Sequence, residues 1–305
     1  MISIIVPCYN EEEAIPFFYE KINEVIAKMK KVKFELIFVD DGSKDNTLKV
    51  LNDLSKKDSK VKYISFSRNF GKEAAMFAGL EKSRGDYVTI IDADLQQPPE
   101  LLIELYENIE DYDCVALKRT VRKDESKIRG LFSNLYYKII NKISSTKIEK
   151  GASDFRLMSR QMVDAILELK EKNRYSKGIF SWVGFNTKWL EYENVERVAG
   201  KSKWSFKSLF NYATESIVSF SDAPLKIAFT LFEIFTIISM VLIIVMAIRV
   251  IMDLVITWIL LFATILTFIA GLQFLVIGIM GLYISRIYID VQNRPIYIIK
   301  ETNIK

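Results

Sequence analysis

The chain of 305 residues contains no histidine. Imidazole metal ligation and imidazole acid–base catalysis are therefore excluded, and such work falls to carboxylates, amides, Lys, Tyr or Cys. Its two cysteines, Cys8 and Cys114, lack metal-ligand spacing and form no disulfide framework. Both read as core positions, where free cysteines usually sit. An excess of one charge sign is also missing: 42 basic against 38 acidic residues leave +4, which does not point to nucleic acid. Neither GxxxxGK[ST] nor GxGxxG occurs, which argues against an ATPase or a dinucleotide enzyme. The opening MISIIVPCYN has no basic stretch ahead of an apolar one, so no secretory leader is expected.

What is abundant is apolar surface, half of all residues. Two nearly uncharged runs, 228–248 and 257–281, stand out. Each has the length that crosses a bilayer core, about 20–25 residues. Glu233 is the one acid in the first run, and Arg249 and Asp253 mark a short link between the runs. That link predicts an antiparallel helical hairpin. Lys201, Lys203, Lys207 and Lys226 precede it, and Arg286, Arg294 and Lys300 follow it, so both flanks belong on the cytoplasmic side. The expected organisation is a cytoplasmic domain over 1–222, two transmembrane helices within 223–285 and a cytoplasmic tail over 286–305. This describes an integral protein of a bacterial plasma membrane. A buried hairpin inside a large soluble core is the alternative.

Residues 1–115 alternate strand and helix patterns. ISIIVPCY, FELIFVD, VKYISFS and YVTIID are short apolar runs, as expected of strands buried on both faces. Between the first two, Ile15, Phe18, Ile22, Val25, Ile26 and Met29 lie on one helical stripe. Asp45 or Asn46 is placed to cap a second helix. The pattern predicts an α/β fold, a Rossmann-like, mostly parallel sheet with helices on both faces. Ligands bind beyond the carboxyl ends of such strands. There the sequence sets Tyr9 and Asn10, Asp40 and Asp41, Arg68 and Asn69, and Asp92 and Asp94.

Asp92 and Asp94 end the stretch GDYVTIIDADLQQPPE. Carboxylates spaced i and i+2 at a strand end share a face and repel unless a cation joins them. Hard oxygen ligands suit Mg²⁺ or Mn²⁺, which bridge carboxylates to substrate phosphates. Gln96 continues the series and could add an oxygen. Alternatively, the two acids are loop and cap residues ahead of a helix at Pro99.

The segments IIVPCYNEEEAI, FVDDGSKDNT, SRNFGKEAAMFAGL, IDADLQQPPE, GASDFRLMSR, KGIFSWVGF and GKSKWSFKSL occur in this order. Together with GLYISRIYIDVQNRPIYII they resemble the inverting family 2 glycosyltransferases of the polyisoprenyl-phosphate branch. That branch includes dolichol-phosphate mannose synthase and the bactoprenol glucosyltransferases. The resemblance implies a GT-A fold and a metal-dependent hexosyltransferase that uses Mg²⁺ or Mn²⁺. It would move a sugar, glucose from UDP-glucose first, onto undecaprenyl phosphate for cell-envelope glycan modification. UDP-GlcNAc, UDP-galactose, GDP-mannose or a modified pentose remain alternative donors.

By the same resemblance, Pro7, Tyr9, Asn10, Glu11, Asp40, Asp41, Asp92 and Ala93 belong to the nucleotide-sugar pocket. Asp92, Asp94 and Gln96 belong to the metal, and Asp154 is the catalytic carboxylate with Asp94 beside it. Arg119, Arg122, Arg129, Lys201 and Lys203 belong to the acceptor phosphate. Gln97, Leu282 and Trp204 depart from the family's usual Asp, Glu and Tyr. Segments 127–147 and 205–222 pair basic residues with apolar ones at helical spacing, as helices lying on a bilayer do. Self-association and a downstream flippase are further expectations. A processive polysaccharide synthase is disfavoured because QxxRW is absent. A non-catalytic membrane-anchored nucleotide-sugar-binding protein is disfavoured because Asp92, Asp94 and Asp154 are all present.

Overall fold

The computed structural model describes residues 1–120, 137–138, 140–142, 146–193 and 258–304, with scattered positions between 230 and 248. Strand β1 (Ile2–Cys8) leads through helix α1 (Ala14–Lys28) to β2 (Phe34–Asp40). Helix α2 (Thr47–Lys57), β3 (Val61–Phe66), α3 (Lys72–Lys82) and β4 (Tyr87–Ile90) complete the predicted alternation. Beyond it come α4 (Leu101–Glu107), β5 (Cys114–Arg119), β6 (Ala152–Ser159), α5 (Arg160–Glu168), α6 (Ser176–Trp182), β7 (Thr187–Tyr192), the long α7 (Trp258–Val291) and β8 (Ile299–Thr302).

The strands form one eight-stranded sheet in the order β7-β5-β6-β4-β1-β2-β3-β8. Strand β1 pairs in parallel with β2 and β4, and β2 in parallel with β3. Six of the eight strands run the same way, as expected, and two run against them. Strand β6 inserts antiparallel between β4 and β5, and β8 runs antiparallel along β3. The sheet is therefore mixed.

Alternation along β1 splits its side chains between two cores. Ile2, Ile4 and Val6 pack with Ile15, Phe18, Ile22 and Val25 of α1 and Leu51 of α2. Ile5 packs instead with α3, and the same layer holds Met162, Val163 and Ile166 of α5 and Ile179 and Phe180 of α6. Phe18 is fully buried and meets Phe38 edge to face at 6.1 Å. One such ring contributes about 2–3 kcal/mol through burial. Helix α3 presses on the sheet through small residues, Ala74, Ala75, Ala78 and Gly79. A Cβ added at Gly79 would sit 2.3 Å from a methyl of Ile5.

Helix α7 is 34 residues long, roughly 50 Å at 1.5 Å per residue. Within it, Phe268–Val291 is the one described helix long and apolar enough to cross a membrane. The helix continues past the expected end at 281, through Arg286. The first expected span, 228–248, lies largely outside the described residues. Those of its positions that are described are helical and exposed. Of the two expected spans, the second alone therefore lies within the described residues.

The tail is part of the sheet rather than an appendage. Tyr297 stacks on Phe66 at 4.9 Å, and its hydroxyl donates to Glu81. Tyr63 donates to Glu301 at 2.6 Å, and Asn303 accepts from the Tyr63 amide at 2.8 Å. Strand β8 thus covers an edge that would otherwise offer open hydrogen-bonding groups.

Of the segment expected to lie on a bilayer, 127–147, only 137–138, 140–142 and 146–147 are described. Ile140 there is buried against Ile148 and Tyr175. That part packs on the domain, because its apolar side has a protein partner. Residues 205–222 lie outside the described residues.

Candidate active site

The parallel register aligns the carboxyl ends of the central strands. Cys8 stands opposite Asp40, and Asp40 opposite Ser65. Strand β6 runs the other way, so its beginning, Ser153 and Asp154, reaches the same edge.

The loop after β1 is locked to the loop after β2. Asn10 has φ 53°, its amide donates to Ser43 Oγ at 2.9 Å, and its Oδ1 accepts from the Lys44 amide at 2.9 Å. The Glu11 amide donates to Thr47 Oγ1 at 2.9 Å. Asp45, one of two expected caps, accepts from the Thr47 amide at 3.0 Å; Asn46 makes no side-chain cap bond. Pro7 is the penultimate residue of β1, and Tyr9 follows the strand in the bend.

Asp40 and Asp41, expected to line the nucleotide pocket, face inward. Asp40 is 1% exposed and accepts from the Ser43 amide at 2.9 Å and Ser65 Oγ at 2.7 Å. Asp41 is 4% exposed and accepts from the Phe70 amide at 2.6 Å and the Gly71 amide at 2.9 Å. Burial pushes the Asp41 carboxyl up, although those amides oppose the shift. Gly42, between this pair and Ser43, has φ 66°, and a Cβ there would lie 2.4 Å from the Arg68 carbonyl carbon. The turn therefore needs glycine.

Strand β4 stops at Ile90, so Asp92–Gln97 is a turn rather than a strand end, with Leu95 at φ 56°. The strand alternation that was expected to align Asp92 and Asp94 does not extend to them. Asp94 Oδ1 accepts from the Gln96 amide at 3.1 Å, whereas Asp92 meets a lysine. Ala93 between them is buried.

That lysine is Lys72, the first residue of α3, which sequence reasoning did not single out. Its Nζ lies 2.7 Å from Asp92 Oδ1 and 2.8 Å from Asp154 Oδ2. The cation joining the acids in this structure is thus an ammonium, and it links Asp92 to Asp154 rather than to Asp94. Burial works against the charge on Lys72, but Asp154 and Asp92 outweigh it and hold the ammonium above its ordinary range. Burial would likewise raise Asp154, yet Lys72, then Lys177 and Arg156, hold it well below the usual carboxylate range.

Beneath Asp154 lies Arg156, 3% exposed, with its guanidinium 3.9 Å from the Phe180 ring centre and 5.9 Å from that of Trp189. It donates to the Ser153 carbonyl at 2.7 Å, which fixes the backbone that carries Asp154. Gln97 turns from the acids to this loop, donating to Ser153 Oγ at 2.6 Å and to the Tyr192 hydroxyl at 3.2 Å. Glu73, next to Lys72, accepts from the Ser176 amide at 3.1 Å and from its hydroxyl. Burial, reinforced by Asp154, pushes the Glu73 carboxyl up to about 7.

Arg119 ends β5, and its amide donates to the Gly151 carbonyl at 2.9 Å. Arg122, Arg129, Lys201 and Lys203 lie outside the described residues. Among the described residues no three acidic or cysteine side chains gather into a metal cage. The site is nevertheless acidic. Burial, then the charges of Glu11, Asp40, Asp92 and Asp45, push the Cys8 thiol well above its ordinary range. Two carboxylates in one turn fit how Mg²⁺ is commonly held where a bound phosphate supplies further oxygens.

The sequence profile of glycosyl transferase family 2 matches residues 3–167. The chain belongs to glycosyl transferase family 2. This family 2 glycosyl transferase is 44% identical over 305 residues to the SfII prophage-derived bactoprenol glucosyl transferase of Shigella flexneri, covering 99% of this chain and 98% of that one. It is 42% identical over 301 residues to the prophage bactoprenol glucosyl transferase homolog of Escherichia coli strain K12, covering 98% of each chain. A solved structure, the mannosyltransferase PcManGT of Pyrobaculum calidifontis in complex with GDP-Man and Mn²⁺, is 19% identical, covers 71% of this chain and 61% of its own, and gives a TM-score of 0.48.

Proposed function

We propose that this family 2 glycosyl transferase moves a sugar from a nucleotide sugar, UDP-glucose first, onto undecaprenyl phosphate at the cytoplasmic membrane face. The observation that carries this reading is the near-full-length kinship with bactoprenol glucosyl transferases. The apolar helix α7 supports it, because a polyprenyl phosphate must be met at a bilayer.

The reaction is an inverting displacement. An acceptor phosphate oxygen bonds to the anomeric carbon as the bond from that carbon to the diphosphate breaks, and nucleoside diphosphate leaves with the electron pair. A phosphate monoester has its second pKa near 6, so the nucleophile is largely ionised. Asp154, held ionised, then orients the acceptor and takes any proton that remains. Asp92 faces the sugar nucleotide, with Pro7, Tyr9, Asn10, Glu11 and the Ala93 backbone around the nucleotide. Arg119, with Arg122, Arg129, Lys201 and Lys203, offsets the repulsion between an anionic donor and an anionic acceptor. Asp92 and Asp94, with Gln96, would hold Mg²⁺ or Mn²⁺, which neutralises a departing diphosphate.

The test is a transfer assay with protein in detergent, undecaprenyl phosphate, Mg²⁺ or Mn²⁺ and a panel of labelled UDP- and GDP-sugars. Label should enter the lipid phase for one sugar and be lost in Asp94→Ala. No transfer from any donor, with nucleotide still bound, overturns the acceptor assignment.

A further inference from the structure

The chemistry above makes no use of Lys72, yet among the described residues its ammonium bridges both acids at the site mouth. Asp92 belongs to the turn after β4 and Asp154 to the start of β6. Lys72 Nζ stands 2.7 Å from one and 2.8 Å from the other. An ammonium has three donors, enough to serve both carboxylates at once.

Its placement is built into the fold. Asp41, buried and tied to β1 by its own amide donating to the Cys8 carbonyl at 2.8 Å, takes the amide protons of Phe70 and Gly71. Those amides open α3, whose first residue is Lys72. Gly71 has φ 98°, a conformation glycine adopts without strain, which turns the chain into the helix. On the far side Glu73 is held by Ser176 of α6. Behind, Gly79 lets α3 press against Ile5. The first turn of α3 is thus fixed on three sides, while the Lys72 side chain is 41% exposed at the mouth.

We propose that Lys72 is a positioning residue for sugar transfer: its ammonium clamps the Asp154 carboxylate toward Asp92, and the Asp41 cap on α3 sets where the clamp stands. This rests on the reading of the site as the transfer centre. Without the ammonium, two carboxylates would face each other and Asp154 would turn toward solvent. A displacement of the order of 1 Å costs about 100-fold in rate.

The experiment compares Lys72→Met, which keeps the stem and removes the charge, with Lys72→Arg, which keeps the charge. In the transfer assay kcat for Lys72→Met should fall about 100-fold with donor KM within about threefold, and Lys72→Arg should recover about tenfold or more. A kcat for Lys72→Met within about threefold of the parent overturns the inference. So does a proportionate rise in donor KM at unchanged kcat, which would make Lys72 a donor ligand. If the parent protein transfers no sugar, the proposed function fails, and lysine ammonium ¹H–¹⁵N NMR judges the clamp separately. The Lys72 signal, assigned by its absence in Lys72→Met, should move in Asp154→Asn. A signal that is unchanged in both Asp154→Asn and Asp92→Asn overturns the clamp.

Discussion

Glu73 carries a pH dependence that can be worked from its surroundings. Burial pushes its carboxyl from an ordinary 4.5 to about 7; the Asp154 charge adds to this, and Ser176 and Lys72 oppose it. The folded protein therefore holds a proton that the unfolded chain gives up. The stability linked to that proton is fully present below about pH 4.5, falls as pH rises and is gone above about 7. A gap of about 2.5 units at 1.36 kcal/mol each is about 3 kcal/mol. Glu73→Gln mimics the protonated acid, can still accept from Ser176, and cannot ionise. The variant should match the parent near pH 4.5 and exceed it by about 3 kcal/mol at pH 8, about 6–12 °C in Tm for a domain of this size. The assay is thermal unfolding in mild detergent across that range. An offset of equal size at both pH values would refute the reasoning, because it would show a packing effect with no proton in it.

Three further outcomes follow from the same structure. Gly42→Ala should cost at least about 2 kcal/mol in the same unfolding assay, from a left-handed φ and a Cβ 2.4 Å from the Arg68 backbone. Glu35 is buried and accepts from Ser3 Oγ at 2.6 Å, Lys62 at 2.6 Å and the Arg84 amide at 2.7 Å. Burial would raise its carboxyl, but Lys62, Ser3 and Arg84 together hold it below the ordinary value. Its stabilisation is therefore present above the ordinary carboxyl range and lost as pH falls below it. Glu35→Gln should cost about 3 kcal/mol at pH 7 and progressively less in acid, read from unfolding midpoints against pH. Asp154→Asn should abolish transfer while calorimetry still registers nucleotide binding, since Asp154 faces Lys72 rather than the loops after β1 and β2.

The central strands were legible because strands buried on both faces read as unbroken apolar runs, as in Ile2–Cys8 and Phe34–Asp40. Strand β6 was not, because its place between β4 and β5 is set by pairing across long sequence separations rather than by local pattern. The tail strand hid behind the apolar helix that precedes it. The acids of the site were visible as polar residues ending apolar runs, yet their orientation was not. Asp40 and Asp41 turn inward because the amides that open α3 and the Ser43 turn need acceptors. Lys72 lies inside the family-like segment SRNFGKEAAMFAGL, yet nothing local marks its role. A lysine that starts a helix looks like any solvated residue until the fold sets Asp92 on one side of it and Asp154 on the other.

The most direct measurement is the mass and anomeric configuration of the lipid product made from undecaprenyl phosphate and UDP-glucose. The account predicts one hexosyl unit joined through the lipid's own phosphate, with the configuration inverted relative to the donor. Free glucose beside unmodified lipid, or a product that retains the donor's configuration, would contradict it.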